Sequence, residues 1–281
     1  MKKLIIVLAL VVFNLSPTAV SAQKQLTILH TNDTHSCILP LKYNLADTAL
    51  AGRGGFLRRI ALLKEERRKD PDLLYFDSGD FSQGSSYYTM FQGDAEIDLM
   101  NQMGIAASTI GNHEFDFGLD NMARLFRRAN FPIVCSNYDF TGSVLQGVVK
   151  PYITLKRKGV KIGVFALCPP LESLVAEKNY GTLRFLAPAE TARKMVDVLR
   201  NKKKCDLVIC ISHLGWAVTD YPDQRFIEAT SGVDLVLGGH SHTYFEKLEY
   251  VSDKDGKPVP VDQNGKHGVF IGKLTLTMNK K

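Results

Sequence analysis

The chain has 281 residues, of which 35 are Lys or Arg and 29 are Asp or Glu, so its formal net charge is +6. This surplus is mild and diffuse. It could help to attract an anionic substrate, but it is too diffuse to argue for nucleic-acid binding, and we expect no nucleic-acid partner. The length is near the upper limit for one hydrophobic core, which is roughly 250–300 residues, so we expect a single large domain.

The first 22 residues have the layout of a secretory signal peptide. The positive start MKK precedes the apolar run LIIVLALVVF, and the small residues of AVSA favour cleavage before Gln23. Ten apolar residues are too few to cross a bilayer, which takes roughly 20. We therefore predict a signal peptide over 1–22, a mature domain over 23–281, no membrane span, and a periplasmic or secreted location.

Strand-like and helix-like runs alternate along the mature chain, which favours an α/β fold with mixed sheets. Predicted strands cover 26–33, 72–80, 106–114, 132–140, 205–215 and 233–242, with a hairpin over 152–168 that turns near Lys158 and Gly159. Predicted helices cover 54–70, 95–104, 118–130, 187–202 and 223–231. The first of these places Phe56, Ile60 and Leu63 on one face with Leu57 beside them. The final stretch, 257–279, is predicted as strands with an Asn-Gly turn at 264–265, which places His267 in a hairpin.

The five cysteines, at positions 37, 135, 168, 205 and 210, form no Cys-x-x-Cys pair. An odd number in an exported chain leaves at least one thiol free or paired between chains. Most of them lie in apolar, strand-like runs, which indicates small buried residues rather than reactive ones.

Five polar blocks each follow a strand-like run: DTH (33–35), GD (79–80), GNHE (111–114), SHLG (212–215) and GGHSH (238–242). Each block alone has an ordinary explanation as a turn or a cap. If the strands lie side by side, however, the loops after them converge on one edge of the sheet. The residues brought together there would be Asp33, His35, Asp80, Asn112, His213, His240 and His242.

This set of carboxylates, imidazoles and one amide oxygen suits divalent transition metals such as Zn or Mn. Seven ligands are too many for one open catalytic ion and suit two ions that share a carboxylate. The Asp-x-His and His-x-His spacings place both side chains on one side of an extended chain.

The ordered blocks resemble the five motifs of the calcineurin-like metallophosphoesterases. The stretches ILHTNDTH, GGFLRR and GNHEFDFG resemble the 5′-nucleotidase branch of that family, and the similarity covers residues 25–277. The resemblance implies a four-layer α/β/β/α sandwich. It implies that Asp33, His35 and His242 hold one metal, that Asn112, His213 and His240 hold the other, and that Asp80 bridges the two.

The resemblance also assigns roles within GNHEFDFG. His113 and Asp116 match the catalytic dyad of the branch, in which the imidazole stabilises developing charge or protonates the leaving oxygen. We expect Glu114 to bond a ligand or the loop backbone, and the two phenylalanines to pack the loop against the sheet. His30 and His267 are expected to be structural or exposed.

The sequence therefore predicts an exported phosphoester hydrolase that uses two divalent ions and cleaves a small phosphorylated substrate, most plausibly a nucleoside 5′-monophosphate. A cyclic-nucleotide phosphodiesterase, a nucleotide-sugar diphosphatase and a sulfur-ester hydrolase would use the same ligands and remain open. A secreted binding protein stabilised by metals is a non-enzymatic alternative, but it would have no need of His113 and Asp116.

The resemblance to the 5′-nucleotidase branch implies a second, C-terminal domain that binds the base. Nothing in this sequence matches that domain. We expect poor discrimination among nucleotides, with AMP and ribose 5-phosphate hydrolysed at similar kcat/KM. A separately encoded nucleotide-binding protein is a candidate partner. Phe115, Phe117, Trp216 and Tyr221 could offer a stacking surface, but packing at the sheet edge is the favoured interpretation.

Overall fold

The computed structural model describes residues 24–217 and 219–278, which form two mixed β-sheets with helices outside them. The first sheet contains β1 (Lys24–Thr31), β2 (Leu74–Asp77), β3 (Ala107–Ser108) and β12 (Gly272–Met278), in the order β12-β1-β2-β3. The strands β1, β2 and β3 are parallel, and β12 runs antiparallel along the outer side of β1. The carboxyl ends of three parallel strands therefore meet at one edge of this sheet.

The second sheet has six strands in the order β10-β11-β9-β8-β6-β5. They are β5 (Tyr152–Arg157), β6 (Val160–Leu167), β8 (Leu207–Ser212), β9 (Leu235–Leu237), β10 (Glu249–Ser252) and β11 (Pro258–Asp262). The central four are parallel and the two edge strands are antiparallel to their neighbours. A small separate sheet pairs β4 (Tyr138–Asp139) with β7 (Arg184–Phe185).

The helices are α1 (Phe56–Lys69), α2 (Ser86–Phe91), α3 (Asp94–Met100), α4 (Gly118–Arg128), α5 (Glu177–Tyr180), α6 (Pro188–Asp197) and α7 (Asp223–Glu228). A 3₁₀ turn covers His113–Phe115, and a π-helical turn over Val198–Lys202 extends α6.

Three hydrophobic clusters correspond to the three interfaces of a layered sandwich. One lies between the two sheets and combines residues such as Ile28 and Phe76 with Val164 and Ile209. A second packs α1, α3 and α4 on the outer face of the first sheet, and a third packs α6 and α7 on the outer face of the second. The predicted α/β/β/α architecture is confirmed.

The apolar face of α1 is close to the prediction, with one error. Phe56, Ile60 and Leu63 are buried against the first sheet as expected. Leu57, however, is 68% exposed. Arg59 takes the remaining buried position, with its guanidinium carbon 4.2 Å from the centre of the Phe56 ring. Residues 56, 60 and 63 follow the helical spacing, whereas residue 57 lies about 100° around the helix from residue 56.

Two predicted strand regions are shorter than expected. Only Ala107–Ser108 and Tyr138–Asp139 form strands within 106–114 and 132–140, and the intervening chain makes isolated bridges at Ile133 and Val134. The hairpin over 152–168 is confirmed, with the turn at Lys158 and Gly159.

The stretch 257–279 is not a hairpin, because its two strands belong to different sheets. The strand β11 lies in the six-stranded sheet, whereas β12 pairs with β1 in the other. The predicted Asn-Gly turn at 264–265 is wrong as well. Asn264 forms an isolated bridge with Tyr244, and the segment that crosses from one sheet to the other turns at His267 and Gly268, whose φ values are 63° and 58°.

All five cysteines are free thiols, and four of them are buried, as the sequence predicted. The described part of the chain holds no helix with both the length and the apolar character needed to cross a membrane. The predicted signal peptide over 1–22 lies outside the described residues.

Candidate metal centre

The seven predicted ligands lie together in loops that follow parallel strands of both sheets. Asp33, Asp80 and Asn112 follow β1, β2 and β3, and His213 directly follows β8. His240 and His242 follow β9. The site therefore sits across the top of the sandwich, where the carboxyl ends of strands from the two sheets face each other. The proximity of these residues is a feature of the structure, whereas their roles as metal ligands are predictions.

The ligand pairs Asp33–His35 and His240–His242 do not lie on extended backbone, so that prediction is wrong. Asp33 and His35 have φ values of 50° and 42°, and His240 and His242 have values of 72° and 55°. Asp80 is also in this left-handed region, with φ of 53°. Non-glycine residues pay an energetic penalty there, so tight turns rather than extended backbone aim these side chains at the centre.

Asp33, His35 and His242 form one potential metal-binding group, with one ligand atom of each within 4.8 Å of the others. The His35 and His242 Nε2 atoms are 2.9 Å apart, and His242 Nε2 is 3.5 Å from Asp33 Oδ1. The His35 Nδ1 atom is 3.3 Å from the Ser82 carbonyl, to which it can donate, and this leaves Nε2 for the centre. Asp33 is oriented by the His240 backbone N–H, which donates to its Oδ2 at 2.9 Å.

Asp80, His213 and His240 form a second group of the same kind. His213 is fully buried, and its Nδ1 donates to the Ser78 carbonyl at 2.6 Å, so Nε2 is presented to the centre. Asp80 also belongs to a third group, with His35 and His113, so its carboxylate lies between the two ligand sets. This position suits a ligand shared by two ions.

Two buried polar atoms test whether a cation fits this site. Asn112 Oδ1 and His213 Nε2 are both buried and have no hydrogen-bond partner among the described residues. His213 Nε2 is 3.2 Å from Asp80 Oδ2, but without hydrogen-bonding geometry. Unsatisfied buried donors or acceptors are costly, and a coordinated cation would satisfy both atoms at once. The residues present therefore fit divalent ions.

The electrostatics agree with this interpretation. Burial opposes protonation of His213, but the Asp80 and Asp33 carboxylates outweigh it and hold the pKa of His213 well above its usual range. Burial likewise opposes ionisation of Asp80, but His213, His113 and His35 lower its pKa. Burial and His213 together lower the pKa of His240 to about 4. The Asp80 and Asp33 carboxylates thus attract positive charge, which is a proton on His213 in the metal-free centre and would be a metal ion in its place, while His240 is already the neutral imidazole that a metal requires.

Glu114 holds the loops in place, as predicted. Its Oε2 accepts hydrogen bonds from the backbone N–H groups of Asp80 and Gly111, at 3.0 and 2.5 Å, and its Oε1 accepts from Ser82 N–H at 3.1 Å. One buried carboxylate therefore joins the loops after β2 and β3. Burial raises the pKa of Glu114 to about 7, with a further contribution from Asp80.

His113 and Asp116 form a hydrogen-bonded pair at the mouth of the site. The His113 Nδ1 atom is 3.3 Å from Asp116 Oδ2, and the two side chains are 32% and 36% exposed. Burial opposes protonation of His113, but Asp116 and Asp80 raise its pKa. Tyr88 donates to the His113 carbonyl at 3.2 Å, and Asn179 donates to the Asp116 carbonyl at 3.0 Å. The dyad is thus fixed from both sides and remains accessible to a substrate.

His267 lies closer to the centre than the sequence indicated. Its ring centre is 6.0 Å from that of His35, and its backbone N–H donates to the Asp33 carbonyl at 2.7 Å. The error follows from the hairpin interpretation, because the crossing segment carries residue 267 over the loop after β1. His30 is fully buried and bonded to Asp262 at 2.8 Å, as the structural interpretation expected.

The four aromatic residues considered for base stacking have different environments. Phe115 is buried in the core, as expected for packing, and Trp216 packs against Phe245 with ring centres 5.0 Å apart. Phe117 was expected to pack the loop against the sheet, but it is 39% exposed and contacts Tyr88. Tyr221 is half-buried and borders cavities beside the site.

Fold and site together define a calcineurin-like phosphoesterase, and the model of that family matches residues 26–244. The chain belongs to this family, which uses divalent metals, and it is a metal-dependent phosphoester hydrolase. Its relatives include the bovine 5′-nucleotidase, which is 30% identical over 92% of this chain and 47% of its own length. The trifunctional nucleotide phosphoesterase YfkN of Bacillus subtilis is 30% identical over 91% of this chain and 18% of its own length.

The structural comparison agrees. The 5′-nucleotidase precursor of Thermus thermophilus superposes with a TM-score of 0.81 and 31% identity, covering 91% of this chain and 52% of that one. The chain spans about half the length of the vertebrate 5′-nucleotidases that it matches, 46–48%.

Proposed function

We propose that the protein is an exported 5′-nucleotidase-like phosphatase that converts nucleoside 5′-monophosphates into nucleosides and phosphate. The observation that carries this proposal is the convergence of six of the seven predicted ligands from both sheets, with the unsatisfied Asn112 oxygen as the seventh, beside an accessible His113–Asp116 pair. A binding protein with structural metals would not need that pair.

The ligand assignment follows the two groups in the structure. Asp33, His35 and His242 would hold one divalent ion, and Asp80 would contribute to both. Asn112, His213 and His240 would complete the second site, since two of them present unsatisfied buried atoms. Two divalent ions such as Zn or Mn, held by these residues, would supply charge stabilisation for the phosphoryl group and a lowered pKa for an attacking water.

Proton transfer to the leaving group would be carried out by His113, which Asp116 orients. Hydrogen bonding between His113 Nδ1 and Asp116 fixes the orientation of the ring and leaves Nε2 for the substrate. The carboxylate favours the protonated imidazole, so His113 can hold a proton and transfer it to the departing oxygen of the alcohol. Asp116 acts through His113 and is a positioning residue.

The nucleotide substrate is supported by the relatives, whose names describe 5′-nucleotidases and a nucleotide phosphoesterase. Export is supported by the signal-peptide pattern of residues 1–22, which would leave 23–281 as the mature metallophosphoesterase domain in the periplasm or outside the cell. A separate nucleotide-binding partner protein remains a prediction.

The test is metal analysis of the purified mature chain together with a panel of phosphoesters. We expect about two divalent ions per chain and release of phosphate from AMP. Cleavage of a cyclic nucleotide or a nucleotide sugar, without hydrolysis of AMP, would replace this proposal with one of the alternatives within the same family. Full metal content without hydrolysis of any ester would favour the binding protein.

A further inference from the structure

A groove runs from the metal centre along the loops that follow β6 and β8. It consists of two adjoining cavities of about 210 and 650 Å³, which share Pro170, Ser173, Asp220 and Tyr221 in their walls. The smaller cavity reaches the proposed metal ligand His240. Because the two cavities adjoin, a group bound to the metals could extend directly into the larger one. We call the two together the Tyr221 groove.

The Tyr221 groove also passes beside the dyad. Its far end is lined by Tyr180, which directly follows Asn179 in α5. The Asn179 side chain donates to the Asp116 carbonyl at 3.0 Å. The groove is therefore connected to the centre at His240 and, through α5, to the residue that orients His113. A leaving group that entered the groove would stay near the proposed proton donor.

The walls of the Tyr221 groove favour a flat, uncharged group. Tyr221 borders both cavities. Its ring centre is 5.4 Å from that of Phe185, in an edge-to-face arrangement, and 5.4 Å from the Arg225 guanidinium carbon. Glu172 and Asp220 add exposed carboxylates, which oppose a second phosphate in the groove. The Arg184 guanidinium is paired with Asp139, so it offsets them only in part.

A hydroxyl group lines the end of the groove near the metals. Thr219 borders the smaller cavity, and its Oγ1 is buried without a hydrogen-bond partner among the described residues. An unpaired buried hydroxyl is the type of group that a sugar hydroxyl could satisfy.

We propose that the Tyr221 groove binds the nucleoside of a nucleoside 5′-monophosphate, with the base against the Tyr221 ring and the ribose near Thr219. This inference rests on the proposed function and names where its substrate lies. It departs from the expectation of similar activity on AMP and ribose 5-phosphate, because an aromatic wall next to the centre can distinguish a base from no base.

The test compares AMP with ribose 5-phosphate, which share a leaving oxygen and differ in the base. A base stacked on an aromatic ring is stabilised by about 1–3 kcal/mol, which corresponds to about 5- to 150-fold. The Mn-loaded wild-type chain should therefore prefer AMP in kcat/KM by at least about fivefold. Tyr221→Leu, which fills the site without a flat ring, should lose this preference, whereas Tyr221→Phe should retain it. Tyr250→Ala, at a 60% exposed tyrosine on β10, is the matched control and should change neither rate.

Binding of adenosine provides a second measurement that needs neither metals nor turnover. Calorimetric titration of the metal-free chain should give a dissociation constant at least about fivefold weaker for Tyr221→Leu than for wild type, with Tyr250→Ala unchanged. Equal AMP and ribose 5-phosphate rates in wild type, or an AMP preference that survives Tyr221→Leu, would overturn the groove assignment and leave the phosphatase intact. Loss of the preference in Tyr244→Ala instead would place the base on the stacked Tyr244–Phe270 pair. Absence of hydrolysis of either ester would contradict the proposed function itself.

Discussion

Asp80 occupies the position on which the whole centre depends. Its carboxylate belongs to two of the three ligand groups, and its backbone N–H is held by Glu114. Asp33 is also fully buried, but it belongs to only one group. Two acidic residues of similar burial should therefore have different effects on metal content.

Asp80→Ala should remove both ions, because it deletes the shared ligand. Asp33→Ala should remove mainly one. Metal analysis of the purified variants after dialysis measures this difference directly. A full complement of metal in Asp80→Ala would show that Asp80 is not the shared ligand.

His113 should affect catalysis and not metal binding. Its side chain lies close enough to His35 and Asp80 to share a metal ion with them. Its Nδ1, however, is bonded to Asp116, and its side chain is 32% exposed. His113→Ala should lower kcat by about 10²–10⁴-fold, the usual contribution of a positioned acid–base group, with metal content unchanged. Asp116→Asn should act in the same direction more weakly, since the imidazole remains but is misoriented. Loss of an ion from His113→Ala would make His113 a ligand instead.

At the scale of elements, the sequence predicted the strands that carry the ligands better than the strands at the periphery. Long apolar runs such as β6 and β8 are buried on both faces, so their composition alone identifies them. The ends of the short strands β3 and β4 could not be predicted, because the length of each depends on the neighbouring strand with which it pairs. The crossing from β11 to β12 was missed for a related reason: an Asn-Gly pair predicts a turn but not the sheet that receives the next strand.

The site shows the same division. Its seven proposed ligands could be predicted from residue types placed after strands. The left-handed backbone of Asp33 and His242 and the approach of His267 to His35 could not be predicted, because both depend on the packing of loops from two sheets. The Tyr221 groove likewise requires the loops after β6 and β8 to lie side by side.

The buried carboxylate at the start of α7 should make stability depend on pH. Burial raises the pKa of Asp223 to about 7, partly opposed by a hydrogen bond from Ser212 at 2.5 Å. In the unfolded chain the pKa is about 3.9, so the folded state holds the proton more tightly. The protonated Asp223 carboxyl therefore contributes fully to the stability of the folded state below about pH 4, and this contribution is lost as the pH rises to about 7.

Asp223→Asn should remove this dependence, because the amide cannot ionise. Thermal unfolding of the metal-free chain from pH 5 to 8 should show a steeper fall in Tm for wild type than for the variant. Asp255→Asn, at an exposed position in the turn after β10, is the control and should follow wild type. Parallel curves for wild type and Asp223→Asn would mean that Asp223 is ionised in the folded state throughout this range.

At the scale of the molecule, the centre joins the two sheets. Asp33, Asp80 and Asn112 follow strands of the first sheet, whereas His213, His240 and His242 follow strands of the second. Direct contacts already cross this boundary, such as the Ser78 hydroxyl donating to the Leu237 carbonyl at 2.9 Å. Ions bound between the two sets would add to them and would also relieve the unsatisfied atoms of Asn112 and His213.

Removal of metal should therefore lower the stability of the whole domain and not only abolish activity. A ligand at 100 times its dissociation constant stabilises the folded state by about 2.7 kcal/mol, which corresponds to a Tm shift of about 5–10 °C for a domain of this size. Calorimetry of the mature chain, stripped with a chelator and then reloaded with Mn, measures the shift. Asp80→Ala should show little response to Mn, while His113→Ala should respond like wild type, because only the first deletes a shared ligand. Equal Tm values for the stripped and reloaded wild-type chain would mean that the ions do not link the two sheets.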